Sequence, residues 1–421
     1  MLDARTNPRS TPSQIHRPRP IGVGVNGDAT RPEGRPSVAL VHDYLLTMRG
    51  AERTFAAMAE AWPDAPIYTL LYDEEGTDGV FRGREVQTSY LQRLGLRQSG
   101  FRALLPLFPR AAERLPVQGY DVVVSSSSAF AHGVRPDPGA VHLSYCHTPF
   151  RYAWFEEERA LAAAPRVVRP AIRRTLRAVR DWDRQASTRV DRYVANSEMT
   201  RSRIRSVWNR DAALVHPPVD VDRFRVGTPD DYFLVVTELV RHKRVEVALE
   251  AARRAGRKMK VVGAGPELRH LRERFRGHAD LLGRVPDDEL VELYAGALAL
   301  VVPGVEEFGI AAVEAQAAGR PVVAAAAGGV LETVIPGKTG ALVAPGDVEA
   351  LTRALRQTPF ESFYSDVIRA NAELFSREAF QRGLTEEVDT VISAPDAAYK
   401  PPASVPSSVS VADPRPVGES A

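Results

Sequence analysis

The feature that most constrains this chain is an alternation of short apolar runs with helical segments, which breaks once and then restarts. Residues 37–42 (SVALVH) form an apolar run bounded by polar residues, the pattern of a strand buried on both faces. Residues 51–62 carry helical spacing and stop at Pro63, because the residue before a proline is biased away from helix. Further strands are expected at 67–71, 121–125, 141–145 and 192–196, the last followed by a helix over 200–208. This is the rhythm of a parallel sheet with crossover helices. It breaks at 216–224 (HPPVDVDRF), where two adjacent prolines stiffen an extended link. Beyond the link, strands are expected at 232–237, 259–263, 280–282, 297–303 and 321–325. A helix is expected over 245–255 and a last one over 375–392. Two α/β units follow, and 421 residues agree with that, since a single core stops growing at about 250–300 residues.

The expected division is a tail over 1–36, a first unit over 37–215, a link over 216–224, a second unit over 225–374, a final helix over 375–393 and a tail over 394–421. The first tail is polar and rich in Arg and Pro, without the apolar core of a signal peptide. The second is rich in Pro, Ser, Ala and Val. Both read as disordered. The net charge of +2 does not call for a nucleic-acid partner. Cys146 is the only cysteine, which excludes an internal disulfide and a thiolate metal cluster and suits a reducing cytoplasm. Apolar runs such as 295–305 fall far short of the ~20 residues that span a bilayer.

Residues 301–319 (VVPGVEEFGIAAVEAQAAG) hold the most chemistry. A strand is expected to end at Pro303, a loop to run through Gly304–Gly309, and a helix to start near Ile310 and stop at Gly319. Glu306 then lies at the strand's carboxyl end and Glu314 in the second turn of the helix. That edge is where open α/β sheets bind ligands. A helix N-terminus offers unpaired N–H groups and a positive dipole, a seat for a diphosphate. Two carboxylates beside it can accept hydrogen bonds from sugar or ribose hydroxyls. The same glutamates are also placed to serve only the helix dipole.

Glu306 and Glu314, with seven residues between them and Phe308-Gly309-Ile310 among those, resemble the E-x7-E motif of glycosyltransferase family 4. The resemblance is supported by HDYLLTMRGAER (42–53), SSSSAFAHGVR (125–135), YCHTPFRYAW (145–154), VANS (194–197) and HPPVDVDRF, in that order. Within the family it is nearest to bacterial mannosyltransferases of surface-polysaccharide assembly. It implies the GT-B architecture, two Rossmann-like domains facing a cleft, with the C-terminal helix crossing back to the first. It further implies a retaining, metal-independent hexosyltransferase without a cofactor. The donor would be a nucleotide-sugar, GDP-mannose by the branch and a UDP-sugar as the alternative. The acceptor would be a lipid-linked or cell-surface glycan.

The same resemblance assigns roles. Glu314 would bind the donor ribose. Glu306 would contact the transferred sugar, and Phe308, Gly309 and Ile310 would offer backbone amides. Lys243, in LVRHKR, would neutralise the departing diphosphate, a task suited to a compact ammonium. The chain departs from the family at Glu238, where an arginine is usual; Arg241 or Arg244 is then needed for the missing charge. His147, in YCHTP, would stand beside the reacting sugar, with His42 on the same edge. Gly50 would let backbone approach the donor. Gly263, in a strand-to-helix G-x-G turn, would lie near the phosphates. No D-x-D-type carboxylate pair in a suitable loop argues for a metal.

Residues 165–186 are rich in arginine. Arg173, Arg177, Arg180 and Arg184 recur at helical spacing on one face; Ile172, Leu176, Val179 and Trp182 fall on another. Such a helix can lie on an anionic membrane surface, which would make the protein cytoplasmic and peripheral. It can equally pack its apolar face inward with the arginines solvated. Three other functions remain open: a sugar-nucleotide epimerase, a dehydrogenase (although Leu268 stands where the third glycine of G-x-G-x-x-G belongs), and a non-catalytic nucleotide-sugar binder.

Overall fold

The computed structural model describes residues 36–94, 104–162 and 164–394. The two terminal tails expected to be disordered lie outside the described residues, apart from Pro36 and Ala394.

Two all-parallel sheets form. The first contains β1 (Val38–His42), β2 (Ile67–Thr69), β3 (Val86–Thr88), β4 (Val122–Ser127), β5 (Val141–Cys146), β6 (Arg192–Ala195) and β7 (Ala212–Leu214), in the spatial order β3-β2-β1-β4-β5-β6-β7. The second contains β8 (Phe233–Val236), β9 (Met259–Val262), β10 (Asp280–Gly283), β11 (Ala299–Val302), β12 (Val322–Ala325) and β13 (Gly340–Val343), ordered β10-β9-β8-β11-β12-β13. Strand order reverses between β1 and β4 in one sheet and between β8 and β11 in the other. At such a reversal the connecting helices leave to opposite faces and open a crevice at the strands' carboxyl ends.

The central strands β1, β4 and β5 are buried along their whole length; β1 (VALVH) and the first half of β4 (VVVSSS) show this as apolar runs, while β5 (VHLSYC) also buries polar side chains. Three strands have no counterpart in the sequence reading: β3 (VQT), β7 (AAL) and β13 (GALV). Each sits at a sheet edge and is only three or four residues long, too short to stand out as a run. Strand ends are also trimmed relative to the apolar runs, so that Leu70 and Leu71 lie beyond β2 although both are fully buried.

The link over 216–224 is packed rather than free. Val219, Val221 and Phe224 join Phe308, Val313 and Phe375 in the core of the second unit. The chain crosses between the units twice, side by side: Val219 pairs with Ser376, and its N–H donates to the Phe375 carbonyl at 2.8 Å. After that second crossing, the helix Arg377–Ser393 inserts Phe380, Leu384 and Val388 into the first unit's core beside Leu40, Phe55 and Tyr145. Their four-residue spacing puts all three on one face. Arg192 of β6 fixes the helix further through Glu387, at 2.8 and 2.6 Å.

The arginine-rich helix Arg169–Ser187 turns Leu176 and Val179 inward. Arg173 lies 3.3 Å from Glu157, Arg180 pairs with the same carboxylate, and the Arg184 guanidinium sits 4.7 Å above the Trp154 ring. Three of the four arginines in the stripe thus hold neighbouring segments of the same unit.

Candidate active site

At the first sheet's reversal point, His42 ends β1 opposite Ser126 of β4. The Ser126 hydroxyl lies 3.0 Å from His42 Nδ1 and 2.9 Å from His147 Nε2. One hydroxyl carries one proton, so it can donate to only one of the rings and must accept an N–H from at least the other. Burial holds both rings neutral: it lowers the His147 pKa to about 4 and that of His42, with help from His147, to about 3. His147 is 8% exposed. Its backbone is fixed by its own N–H to Ser127 O at 2.9 Å and by Thr200 Oγ1, which donates to the His147 carbonyl at 3.0 Å.

Asp43, which sequence reasoning passed over, anchors this edge. Its buried carboxylate accepts the N–H groups of Ser128, Phe130 and Ala131 at 2.5, 2.7 and 2.6 Å. Burial raises its pKa while these three bonds oppose the shift. Its signal was the aspartate directly after the first strand, with SSSSAFA as the segment it organises.

At the second sheet's reversal point the loops after β8 and β11 meet. Lys243 Nζ donates to Glu306 Oε2. Gly304 makes the approach possible: a Cβ there would lie 2.7 Å from Lys243 O and 2.8 Å from its Cα. The helix Ile310–Ala317 follows, capped by Gly309 in the left-handed region (φ 92°), where a side chain is costly. By position the Ile310 and Ala311 amides have no intrahelical acceptor, whereas the Ala312 N–H donates to the Gly309 carbonyl at 2.9 Å. Glu314, one turn in, accepts a 2.7 Å hydrogen bond from the fully buried Tyr294. Burial raises the Glu314 pKa, and the phenol works against that rise.

Phe308 is 4% exposed and packs on His216 and Phe375 at 5.4 and 5.5 Å between ring centroids. Its side chain therefore belongs to the core and only its backbone is available to a ligand. Across the cleft, the helix Gly50–Ala61 starts opposite Ile310: a Cβ on Gly50 would stand 3.6 Å from Ile310 Cδ1. Two helix N-termini thus face each other. Gly263 (φ 144°) closes the turn after β9 onto β8, where a Cβ would lie 1.8 Å from Thr237 O.

The structure does not gather every candidate at one point. Arg241 is 92% exposed and 3.6 Å from Glu267. The Arg244 guanidinium lies against Gly346. Both line a neighbouring cavity of about 770 Å³ with Glu246, Glu250 and Glu267, to which Lys243 and Glu306 do not contribute. Glu238 is exposed. Glu307 turns away from its neighbour Glu306 toward the first unit, where Arg151 Nη2 donates to it at 2.8 Å and Arg203 to its other oxygen. Neither arginine stood out in the sequence, because nothing local ties residue 307 to residues 151 and 203.

The family described as "Glycosyltransferase Family 4" matches residues 48–223, and "Glycosyl transferases group 1" matches 220–359. Over 207 residues the chain is 36% identical to D-inositol 3-phosphate glycosyltransferase 2 of Catenulispora acidiphila, covering 40% of this chain and 48% of that protein. Over 219 residues it is 33% identical to the GDP-mannose-dependent alpha-(1-6)-phosphatidylinositol monomannoside mannosyltransferase of Mycolicibacterium smegmatis, covering 44% and 56%. The chain spans about half the length of these curated relatives. Among solved structures, sucrose-phosphate synthase of Thermosynechococcus elongatus superposes with a TM-score of 0.63 at 18% identity, covering 86% of this chain and all of that one. Anabaena HepE in complex with UDP-glucose gives 0.62 at 18%, covering 84% and 99%. The shared fold is GT-B.

Proposed function

The chain belongs to glycosyltransferase family 4, and we propose on that premise that it moves a hexose from a nucleotide-sugar to a hydroxyl of a glycan, with retention of anomeric configuration. Mannose from GDP-mannose is the favoured donor, in keeping with the mannosyltransferase relative. The observation that carries the reading is the Lys243–Glu306 pair, set at the mouth of the helix that holds Glu314.

In this reading the nucleotide diphosphate sits against the first amides of Ile310–Ala317. Glu314 accepts from ribose hydroxyls and Glu306 from the sugar. The bond between the anomeric carbon and the diphosphate oxygen breaks, and its electron pair leaves with the diphosphate. Lys243 and the helix dipole meet the charge that develops there, without a metal. The acceptor oxygen bonds to the anomeric carbon from the face of departure, and its proton passes to the leaving diphosphate. His147, neutral and fixed through Ser126, presents an uncharged imidazole beside the sugar.

No helix among the described residues is long and apolar enough to cross a membrane. We place the acceptor on a lipid carrier at the inner membrane face, reached by the turn Arg166–Val168. Val167 is 86% exposed there, and Arg166, Arg174 and Arg177 are exposed nearby. Replacing those arginines and Val167 with Ser should abolish co-sedimentation with anionic vesicles; unchanged binding would remove the membrane from the reading.

A thermal-shift screen of GDP-, UDP- and ADP-sugars tests the donor, since a ligand bound to the native state raises the midpoint. A GDP-mannose shift accompanied by mannosyl transfer to a lipid-linked glycan is the expected result. A shift with a UDP-sugar alone would replace the donor, and absence of transfer from any sugar nucleotide would sink the function.

A further inference from the structure

The two units are joined at the cleft by more than the paired chain crossings. The loop that carries Glu306 also carries Glu307, and these adjacent carboxylates point to different units: Glu306 to Lys243 in the second, Glu307 to Arg151 and Arg203 in the first. Arg203 is held for the purpose. Its guanidinium lies 4.9 Å above the Phe155 ring, and Nη1 also donates to Thr148 Oγ1 at 3.2 Å. Thr148 follows His147 directly. The helix Glu198–Trp208, which bears Arg203, also holds the His147 carbonyl through Thr200. One carboxylate therefore ties the loop of the donor-side glutamate to the scaffold of His147.

A second clasp lies on the same helix. Glu332 of the second unit accepts the Glu198 N–H with both oxygens, at 3.0 Å each, and meets His216 Nε2 at 2.9 Å. The helix is thus gripped at its N-terminus by Glu332 and near its middle by Glu307. Glu332 is shared with the interdomain link, so Glu307 is the contact placed to sense the Glu306 loop itself.

We propose that Glu307 is a positioning residue: by clasping Arg151 and Arg203 it docks the Glu306 loop on the first domain and fixes the transferred sugar in register with His147. It touches neither donor nor acceptor. The inference rests on the proposed transfer reaction for its kinetic consequence, whereas the clasp itself has a readout independent of activity. Two arginines on one carboxylate suit the task, because guanidinium–carboxylate geometry is directional where an ammonium's is not.

The test uses the full chain with Glu307→Gln, Glu307→Asp, Arg203→Met and the double variant Glu307→Gln/Arg203→Met. Initial rates with the donor identified above are combined with the interdomain distance. That distance is read by energy transfer between dyes on cysteines introduced at exposed Asp64 and Glu361. Glu307→Gln should lower kcat about 10- to 100-fold with donor KM within about threefold of wild type, and should broaden the distance distribution. Glu307→Asp should recover part of the rate. Arg203→Met should behave like Glu307→Gln, and the double variant should be no slower than the slower single, the mark of a shared interaction. Wild-type kcat and distance in Glu307→Gln would overturn the proposal. So would a rise in donor KM that accounts for the whole loss at unchanged distance, since Glu307 would then act on the donor. If the wild-type chain transfers sugar from no nucleotide-sugar, the functional reading fails while the distance measurement still decides the clasp.

Discussion

The phenol of Tyr294 donates a 2.7 Å hydrogen bond to Glu314 Oε2, joining the helix Asp287–Gly296 to the E-x7-E helix inside the second unit. The bond holds one carboxylate oxygen in place and opposes the rise in pKa that burial imposes. Hydrogen bonds to charged groups contribute about 1.5–3 kcal/mol, and part of that reaches a ligand through the orientation of Glu314. Tyr294→Phe should therefore weaken donor binding roughly tenfold, and Glu314→Ala more than about a hundredfold. Calorimetric titration checks both; wild-type affinity in Glu314→Ala would refute the ribose assignment.

Lys243 should matter for rate more than for affinity. Its charge is already neutralised by Glu306 in the resting protein, so the full electrostatic benefit appears only as negative charge grows on the leaving group. Removing one such preorganised group costs about 10²–10³ in kcat. Lys243→Ala should show that loss with a donor Kd changed less than tenfold, measured by initial rates and titration. Transfer should also persist after dialysis against EDTA. Activity that disappears with the chelator and returns with a divalent cation would assign the leaving-group charge to a metal.

Three buried histidines predict the acid limb of stability. Burial lowers the pKa of His42 and His142 to about 3 and that of His147 to about 4, from 6.5. Each folded ring refuses a proton that the unfolded chain accepts. Their contribution is thus intact above pH 6.5 and is lost as pH falls from 6.5 toward about 4 for His147 and about 3 for His42 and His142, by up to about 1.4 kcal/mol per pH unit for one ring. His142 lies outside the proposed machinery and is held by Ser125 at 2.9 Å. His142→Gln should flatten the dependence of denaturation midpoint on pH in that window. An unchanged slope would mean that the ring is protonated in the native protein.

The last helix is predicted to stabilise the first unit, although it follows the second in the chain. Phe380 is 2% exposed among first-unit residues, and truncating a buried phenylalanine costs about 3–5 kcal/mol. Phe380→Ala should lower the unfolding midpoint of the first unit and speed proteolysis there. Selective destabilisation of the second unit would contradict the packing described.

The broad organisation was open to local reading because buried parallel strands show as short apolar runs and their helices as a 3.6-residue period. Those patterns place Glu306 and His147 at strand ends and Glu314 one turn into a helix, while Lys243 entered the site through the family resemblance. The edge strands β3, β7 and β13 escaped because few of their residues face a core on both sides. Arg241 and Arg244 were offered for the charge missing at Glu238 on proximity along the chain alone. The folded loop directs both to a neighbouring cavity, since the left-handed turn at Arg244 (φ 51°) aims its side chain at Gly346.

The amino-acid order by itself determined two parallel α/β units, a stiff link, and an acid-rich helix start at a strand's carboxyl end. Only the tertiary structure decided that Asp43 gathers three amides of a distant loop, that Tyr294 steadies Glu314, and that Glu307 reaches Arg151 and Arg203 across 156 and 104 residues. Periodicity reports which face of an element is buried. Which side chains meet across a cleft depends on sheet order and on how two domains close, and neither leaves a local pattern in the chain.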